Sequence, residues 1–453
     1  MSAPGLIIAA AASGSGKTTL TLGLLRLLAR QGIVVRGCKI GPDYIDPAFH
    51  AAASGAPCFN LDPWAMRVDS LAALIAASQP ADLMIIEGVM GLFDGAAPAA
   101  GADDAASPAG MVDLPAGSTA QLAAQTGWPV VAVLNVKGQG ATAAAIASGL
   151  RQFHRQVRVA SVICNNVGSP RHGEILRHAF RQIGLPLLGL VPRDPRLQLP
   201  ERHLGLVQAG EHGDLARFLD DAADHLERHV DIAALRQVAG IATESRHGDL
   251  AQALVPPLGQ HIAVASDIAF AFAYPAQLAA WRAAGADLSF FSPLIDEAPA
   301  ASADAVFLPG GYPELHAGRL AGNRHFIAGM RDAAATGKAI YGECGGYMVL
   351  GRSLTDAAGV AHGMLDLLPV ETSFAKRKLH LGYRQVELLA DTAFGKAGTR
   401  LRGHEFHYAS IVAQAADDRL FAVRDAADND LGAYGHWCGT VFGSYLHLID
   451  RAA

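Results

Sequence analysis

The stretch Leu6-Ile7-Ile8-Ala9-Ala10-Ala11-Ala12-Ser13-Gly14-Ser15-Gly16-Lys17-Thr18-Thr19-Leu20 decides the fold of the first half of this 453-residue chain. Its uninterrupted apolar run, Leu6 to Ala12, reads as a strand buried on both faces. A turn of glycine and serine follows, and an amphipathic helical pattern runs from Thr18 to Arg30. Strand, glycine-rich loop, Lys-Thr and helix, in that order, form the context of a phosphate-binding loop. Gly14 and Gly16 let backbone N–H groups turn toward phosphate without a Cβ in the way, with Ser15 and Thr19 in the same loop. Lys17 is placed for the β- and γ-phosphates and the Thr18 hydroxyl for Mg²⁺. One position departs from the G-x-x-x-x-G-K-[ST] pattern: Ala11 stands where the first glycine belongs.

The same strand-helix alternation continues outward. Val34 to Ile40, Leu83 to Glu87, Val130 to Val136, Val157 to Cys164 and Leu187 to Val191 are apolar runs separated by helical patterns such as Gly173 to Ile183. Such a series predicts a doubly wound α/β fold around a parallel sheet. Two of its strands end in carboxylate clusters, Lys39-Ile40-Gly41-Pro42-Asp43-Tyr44-Ile45-Asp46-Pro47 and Ile86-Glu87-Gly88-Val89-Met90-Gly91-Leu92-Phe93-Asp94-Gly95. Ligands of open α/β sheets bind at the carboxyl ends of the strands, so Asp43, Glu87 and Asp94 are expected to converge on the phosphate loop. Oxygen donors there suit Mg²⁺, which takes one or two carboxylates and completes its shell with phosphate and water. Taken singly, each is as readily a turn aspartate or a helix cap. The alanine-rich stretch Ala96 to Ala106 reads as a loop.

The alternation weakens between Asp231 and Gly259, where Pro256-Pro257 excludes a helix interior or a central strand. It resumes with His261 to Ser266, Leu288 to Phe291, Ala305 to Leu308, a helix over Asn323 to Thr336, and a strand from Ala339 into Gly342. The expected organisation is residues 1–235, a linker over 236–259, and a second α/β domain over 260–453. In that second domain Gly342-Glu343-Cys344-Gly345-Gly346 precedes a helical segment, the thiol form of a nucleophile elbow. Cys344 is the candidate nucleophile, with the N–H of Gly345 as an oxyanion donor and the helix N-terminus expected to lower the thiol pKa. Leu308-Pro309-Gly310-Gly311-Tyr312 offers a second donor at Gly311. For the base, spacing leaves three candidates: His447, placed at the end of a predicted strand, and His404 and His407 in Gly403-His404-Glu405-Phe406-His407.

Composition narrows the function further. Thirty-six basic against 42 acidic residues give a net charge of −6, which argues against a nucleic-acid partner. Five widely spaced cysteines with no C-x-x-C pair argue against a disulfide framework or zinc site and for a reducing compartment. The N-terminus has no basic region ahead of its apolar run, and no apolar stretch approaches the ~20 residues a spanning helix needs. A cytoplasmic protein without a membrane partner is expected.

Eight segments together, SGSGKTT, KIGPDYIDP, IEGVMGLFDG, LPERHLGL, LPGGYPE, YGECGGYMVLG, GHEFHY and GSYLHL, resemble the corrinoid a,c-diamide synthases, across nearly the whole chain. The resemblance implies a P-loop, dethiobiotin synthetase-like amide synthetase domain, in a family where the phosphate loop is irregular, followed by a class I glutamine amidotransferase domain. It further implies ATP, glutamine and Mg²⁺, a corrin ring precursor as substrate, and a cytoplasmic ligase for which a homodimer is one candidate assembly. By the motif match, Gly14, Ser15, Gly16, Lys17, Thr18 and Thr19 bind ATP, and Thr18 and Glu87 hold the metal. Asp43, Glu87 and Asp94 line the site where a carboxylate becomes an acyl phosphate. Cys344 and His447 cleave glutamine, with Gly311 and Gly345 at the oxyanion. Class I amidotransferases carry a Glu two residues beyond the catalytic His; Ile449 stands there, so a Cys-His dyad is implied. The wording GPDYIDPAFH leans to the metal-free hydrogenobyrinic acid over cobalt-containing cobyrinic acid. Cobyric acid synthase and a partitioning-type ATPase switch are the competing readings.

Overall fold

A computed structural model describes residues 3–97, 113–198, 201–202, 205–206, 208–211, 213–242, 248–415 and 418–452. Most of the alanine-rich stretch Ala96 to Ala106 lies outside the described residues. The chain forms two compact units, one of Met1–Trp64 with Leu71–His247, the other of Ala65–Ser70 with Gly248–Ala453.

The first unit is built on a seven-stranded sheet whose paired neighbours are all parallel. Its strands are β1 (Gly5–Ala10), β2 (Val35–Ile40), β3 (Phe59–Leu61), β4 (Leu83–Glu87), β5 (Val130–Asn135), β6 (Val159–Val167) and β7 (Leu187–Pro192), in spatial order β3-β2-β4-β1-β5-β6-β7. β1 and β4 are buried along their whole length, as continuous apolar runs in a covered sheet must be. The sheet order reverses around β1, so the loops leaving β1, β2 and β4 open on the same edge. Helix α1 (Lys17–Arg30) packs against the helix Leu215–His229 through Gly23, where a Cβ would lie 2.7 Å from Leu226 Cδ1 and 2.9 Å from the Ala222 carbonyl. Arg26 and Arg30 reach across the same helix pair to Asp220 and Asp224, half-exposed contacts worth at most about 1 kcal/mol each. α2 (Asp46–Ser54) follows β2.

In the second unit a ten-stranded mixed sheet joins β8 (His261–Ala265), β9 (Asp287–Phe291), β10 (Ala305–Leu308), β11 (Ala339–Glu343), β12 (His380–Leu388), β13 (Arg400–His407), β14 (Arg419–Asp425), β15 (Asp430–Cys438), β16 (Val441–Ser444) and β17 (Leu446–Arg451). The order is β9-β8-β10-β11-β16-β15-β14-β12-β13-β17, parallel through β16 and antiparallel beyond it. One core contains Phe291, Phe326, Met330 and Tyr347; the other contains Trp281, Phe307, Tyr341, Phe421 and Phe442. Val255 and Leu258 belong to the latter core, and Trp281 Nε1 donates to the Val255 carbonyl at 3.1 Å. His447 is the second residue of β17, just past the break at Tyr445 between β16 and β17, and not at a strand end as predicted.

Residues Ala65–Ser70 are held in this unit by Arg67, whose Nε and Nη2 donate to the carboxylate of Asp450 at 2.9 to 3.3 Å. The Arg67 backbone N–H donates to the same group at 2.9 Å, and Asp450 is fully buried. Removing one partner of a buried pair leaves the other charge uncompensated. Arg67→Met is therefore expected to destabilise the second unit by about 3 kcal/mol, the low end of the range because the guanidinium is partly exposed. Denaturant unfolding of variant and parent checks this; an unchanged midpoint would show the pair to be incidental.

Candidate active sites

In the first unit the loop after β1 does what its glycines allow. Gly14 and Gly16 lie in the left-handed region at φ 72° and 91°, and a Cβ on Gly16 would overlap the Asn165 amide. That amide donates to the Ser15 carbonyl at 3.0 Å and so fixes the loop from β6. The Ser15 hydroxyl donates to Ala12 O at 2.8 Å, a structural role within the loop. Lys17 is buried and donates to the Met90 carbonyl at 2.6 Å. Burial, with the neighbouring Lys39 ammonium, holds its pKa below the usual lysine value.

Glu87, at the end of β4, is fully buried and gathers a network that sequence reasoning only partly named. Oε1 accepts from the Thr18 hydroxyl at 2.6 Å and from Lys39 Nζ at 2.9 Å, while Oε2 pairs with His50 Nε2 at 2.7 Å. Lys39 also pairs with Asp46 at 2.6 Å. Burial opposes ionisation of Glu87, but Lys39 and His50 outweigh it and hold the carboxyl well below the ordinary range. Lys39 likewise stays charged despite burial, because Asp46 and Glu87 face it. The hydroxyl of Thr18 and carboxylate of Glu87 form the hard oxygen set that suits Mg²⁺ beside phosphate.

Asp43 and Asp94 lie near this pair of lysines, and both also serve locally. Asp43 Oδ1 accepts from the N–H groups of Ile45 and Asp46 at 2.8 and 3.0 Å, a turn that leads into α2. Asp94 Oδ2 accepts from Gly91 N at 2.8 Å and closes the turn after β4. Both carboxylates thus make local backbone bonds while lying within electrostatic reach of Lys17 or Lys39. A pocket beside Gly14, Gly16 and Thr19 is completed by Asn166, Pro192 and Asp194, none of them singled out from sequence.

In the second unit Cys344 occupies a sharp turn between β11 and the short helix α3 (Gly345–Leu350) at φ 46° and ψ −102°, a strained backbone for a side-chain-bearing residue. Its N–H donates to Ser444 O at 2.8 Å, tying the elbow to β16. Gly346 approaches so closely that a Cβ would overlap the Leu308 carbonyl. Gly310 marks the meeting point: a Cβ there would lie 2.5 Å from His447 Cε1, 3.2 Å from its Nε2 and 3.3 Å from Cys344 Cβ. A Cβ on Gly345 would lie 3.0 Å from Gly311 N, so the two expected oxyanion donors sit on adjoining turns. Gly310→Ala is accordingly expected to displace the imidazole and lower glutamine hydrolysis by about 10²-fold, the scale of a misplacement near 1 Å. A glutaminase assay checks it; parental activity would contradict the convergence.

Burial pushes the Cys344 thiol up, with Glu314 adding to it, and not down as the helix N-terminus was expected to do. A thiol held up in this way would need a base in order to act as a nucleophile. His404 is a poor one, because burial and the nearby His447 push it down to about 3. His407 has both nitrogens engaged, with Ala409 O at 3.0 Å and Glu405 Oε1 at 2.9 Å. His380, Glu405 and His407 offer ligand atoms within 4.8 Å of one another, but Glu405 is also bound by Arg384 Nε at 2.8 Å and reads as an ion-pair network.

Residues 6–207 match the family described as the CobQ/CobB/MinD/ParA nucleotide binding domain, and residues 261–452 the CobB/CobQ-like glutamine amidotransferase domain. The chain is 54% identical over 451 residues to the hydrogenobyrinate a,c-diamide synthase of Brucella anthropi, covering 98% of each. The chain belongs to the hydrogenobyrinate a,c-diamide synthase family. The Mesorhizobium japonicum synthase is 50% identical over all of both chains. Among solved structures, the cell division ATPase MinD of Pyrococcus furiosus aligns with half of the chain and 99% of its own at 17% identity, with a TM-score of 0.29. Family membership joins a nucleotide-binding half and an amidotransferase half in one α/β chain. No helix among the described residues is long and apolar enough to cross a membrane.

Proposed function

We propose that this chain is a hydrogenobyrinate a,c-diamide synthase, an ATP- and glutamine-dependent ligase of cobalamin biosynthesis. The observation that carries the reading is a phosphate loop and a thiol elbow in one chain that matches such a synthase over 98% of its length. Five free cysteines fit a cytoplasmic enzyme, and a corrinoid carboxylate is the substrate class.

At the elbow, the Cys344 thiol passes its proton to His447 as sulfur bonds the glutamine side-chain carbonyl carbon. Gly311 and Gly345 N–H groups face the oxyanion. Collapse breaks the C–N bond, and the leaving nitrogen takes the proton from His447, giving ammonia and a glutamyl thioester. Water, deprotonated by His447, then frees glutamate and the thiol. At the phosphate loop an acetate carboxylate of the ring attacks the γ-phosphorus of ATP, forming an acyl phosphate and ADP. Ammonia displaces phosphate from that carbon, and a second round amidates the second acetate.

Lys17, which donates to the Met90 carbonyl, would reach the phosphates when ATP binds and offset the charge that repels an attacking carboxylate. Thr18 and Glu87 would hold Mg²⁺, which supplies charge neutralisation at the phosphate oxygens. Lys39 and His50 keep Glu87 ionised and oriented, and Asp43 and Asp94 border the same space. Asn166, Pro192 and Asp194 frame the pocket for the nucleoside half of ATP. Amidation rates with metal-free hydrogenobyrinic acid and with cobalt-containing cobyrinic acid test the choice of ring. The metal-free ring is expected to react faster, and equal rates would overturn the preference.

A further inference from the structure

We infer that Glu343, the residue immediately before the nucleophile, positions His447 and takes the part of the missing carboxylate two residues beyond it. The inference rests on the assignment of Cys344 and His447 as the glutamine-cleaving pair. At position 449 the chain carries a buried isoleucine, which has no acceptor for an imidazole N–H. Glu343 ends β11 and is 1% exposed. Its Oε1 accepts from the Tyr341 hydroxyl at 2.9 Å and from the Leu448 backbone N–H at 3.1 Å. Its Oε2 faces His447 Nδ1 at 3.5 Å. One carboxylate thus grips the main chain directly after His447 and also addresses the ring.

The carboxylate is buried beside Tyr341, whose ring packs against Phe307 and Phe442, and burial of a carboxylate is costly unless a cation or strong donors face it. Tyr341 and Leu448 are neutral donors, both on one oxygen. The group that can become cationic on the other side is His447, when it takes the Cys344 proton. Across the β13–β17 pairing the ring neighbours His404, and Cys344 stands on the Nε2 side at Gly310. A proton held on Nδ1 by Glu343 leaves Nε2 as the acceptor for the thiol. The 3.5 Å separation exceeds an ideal hydrogen bond, and catalytic contacts of this kind tighten when substrate is bound.

Glu343→Gln separates positioning from packing. The amide oxygen can still accept from Tyr341 and Leu448, but its NH₂ would turn to Nδ1 and hold the imidazole in the opposite tautomer, with the proton on Nε2. We expect kcat for glutamine hydrolysis to fall by about 10²-fold or more, as for other orienting carboxylates. The KM for glutamine is expected to stay within about threefold, since the substrate does not touch Glu343. Thermal unfolding run in parallel reports folding. A folded variant with kcat within threefold of the parent would overturn the inference. A second measurement needs only the parent chain and His447→Asn: NMR of ¹⁵N-histidine-labelled protein should show His447 protonated on Nδ1, with that signal missing in the variant. A proton on Nε2 in the parent would equally overturn it. Cys344→Ser run beside these separates the two levels: glutamine cleavage retained there contradicts the nucleophile assignment itself, whereas a dead Cys344→Ser with an active Glu343→Gln contradicts only the role of Glu343.

Discussion

Replacement of Cys344 by serine is expected to lower glutamine-dependent amidation by at least about 10³-fold while amidation from added ammonia persists. In the proposed reaction the thiol is the attacking atom, and Cys344 sits on a sharp turn that adjoins His447 and Gly310. Serine fits the same backbone, so the loss would be chemical: a hydroxyl is a far weaker nucleophile beside the same imidazole. Ammonia bypasses that step in the proposed scheme, where the acyl phosphate forms at the phosphate loop. Initial rates with each nitrogen source check the prediction. Glutamine use near the parental rate in the variant would refute Cys344 as nucleophile.

Glu87→Gln should behave in the opposite way, with a loss of about 10²- to 10³-fold from either nitrogen source. Glu87 is contacted by Thr18, Lys39 and His50 within 2.9 Å, so its charge is the hub of the site. An amide keeps the shape but removes the charge that faces Lys39 and the oxygen set for Mg²⁺. Ammonia cannot rescue a site that no longer activates the carboxylate. Rescue by ammonia, or a loss below about threefold, would remove Glu87 from the chemistry.

Much of the architecture was legible because its signals are local. The strand Leu83–Glu87 and the strand Ala305–Leu308 are apolar runs whose limits coincide with the structure, and the loop from Ser13 to Lys17 carries its own glycines. Cys344 was visible because the elbow needs small residues on both sides. What escaped depended on distance or on burial of charge. Lys39 reads as an ordinary strand-end lysine, although a cation in a strand buried at both neighbours must have a counterion; Asp46 and Glu87 supply it. Glu343 carried the same unused signal, a carboxylate inside an apolar strand.

The antiparallel strands from His380 to Cys438 were not read because many of their positions are half-exposed, which blurs the alternation that marks a strand. Arg67 and Asp450 are 383 residues apart in sequence, and nothing local announces their pairing. The helix after Cys344 was expected to dominate the thiol; six residues at the end of a buried turn do not outweigh desolvation.

The most direct test of the synthase reading is a mass measurement of the product formed from hydrogenobyrinic acid, ATP, Mg²⁺ and glutamine at completion. Two amides per ring, located on the a and c acetates, are the result expected of this chain. An unaltered ring, or one carrying four new amides, would contradict it.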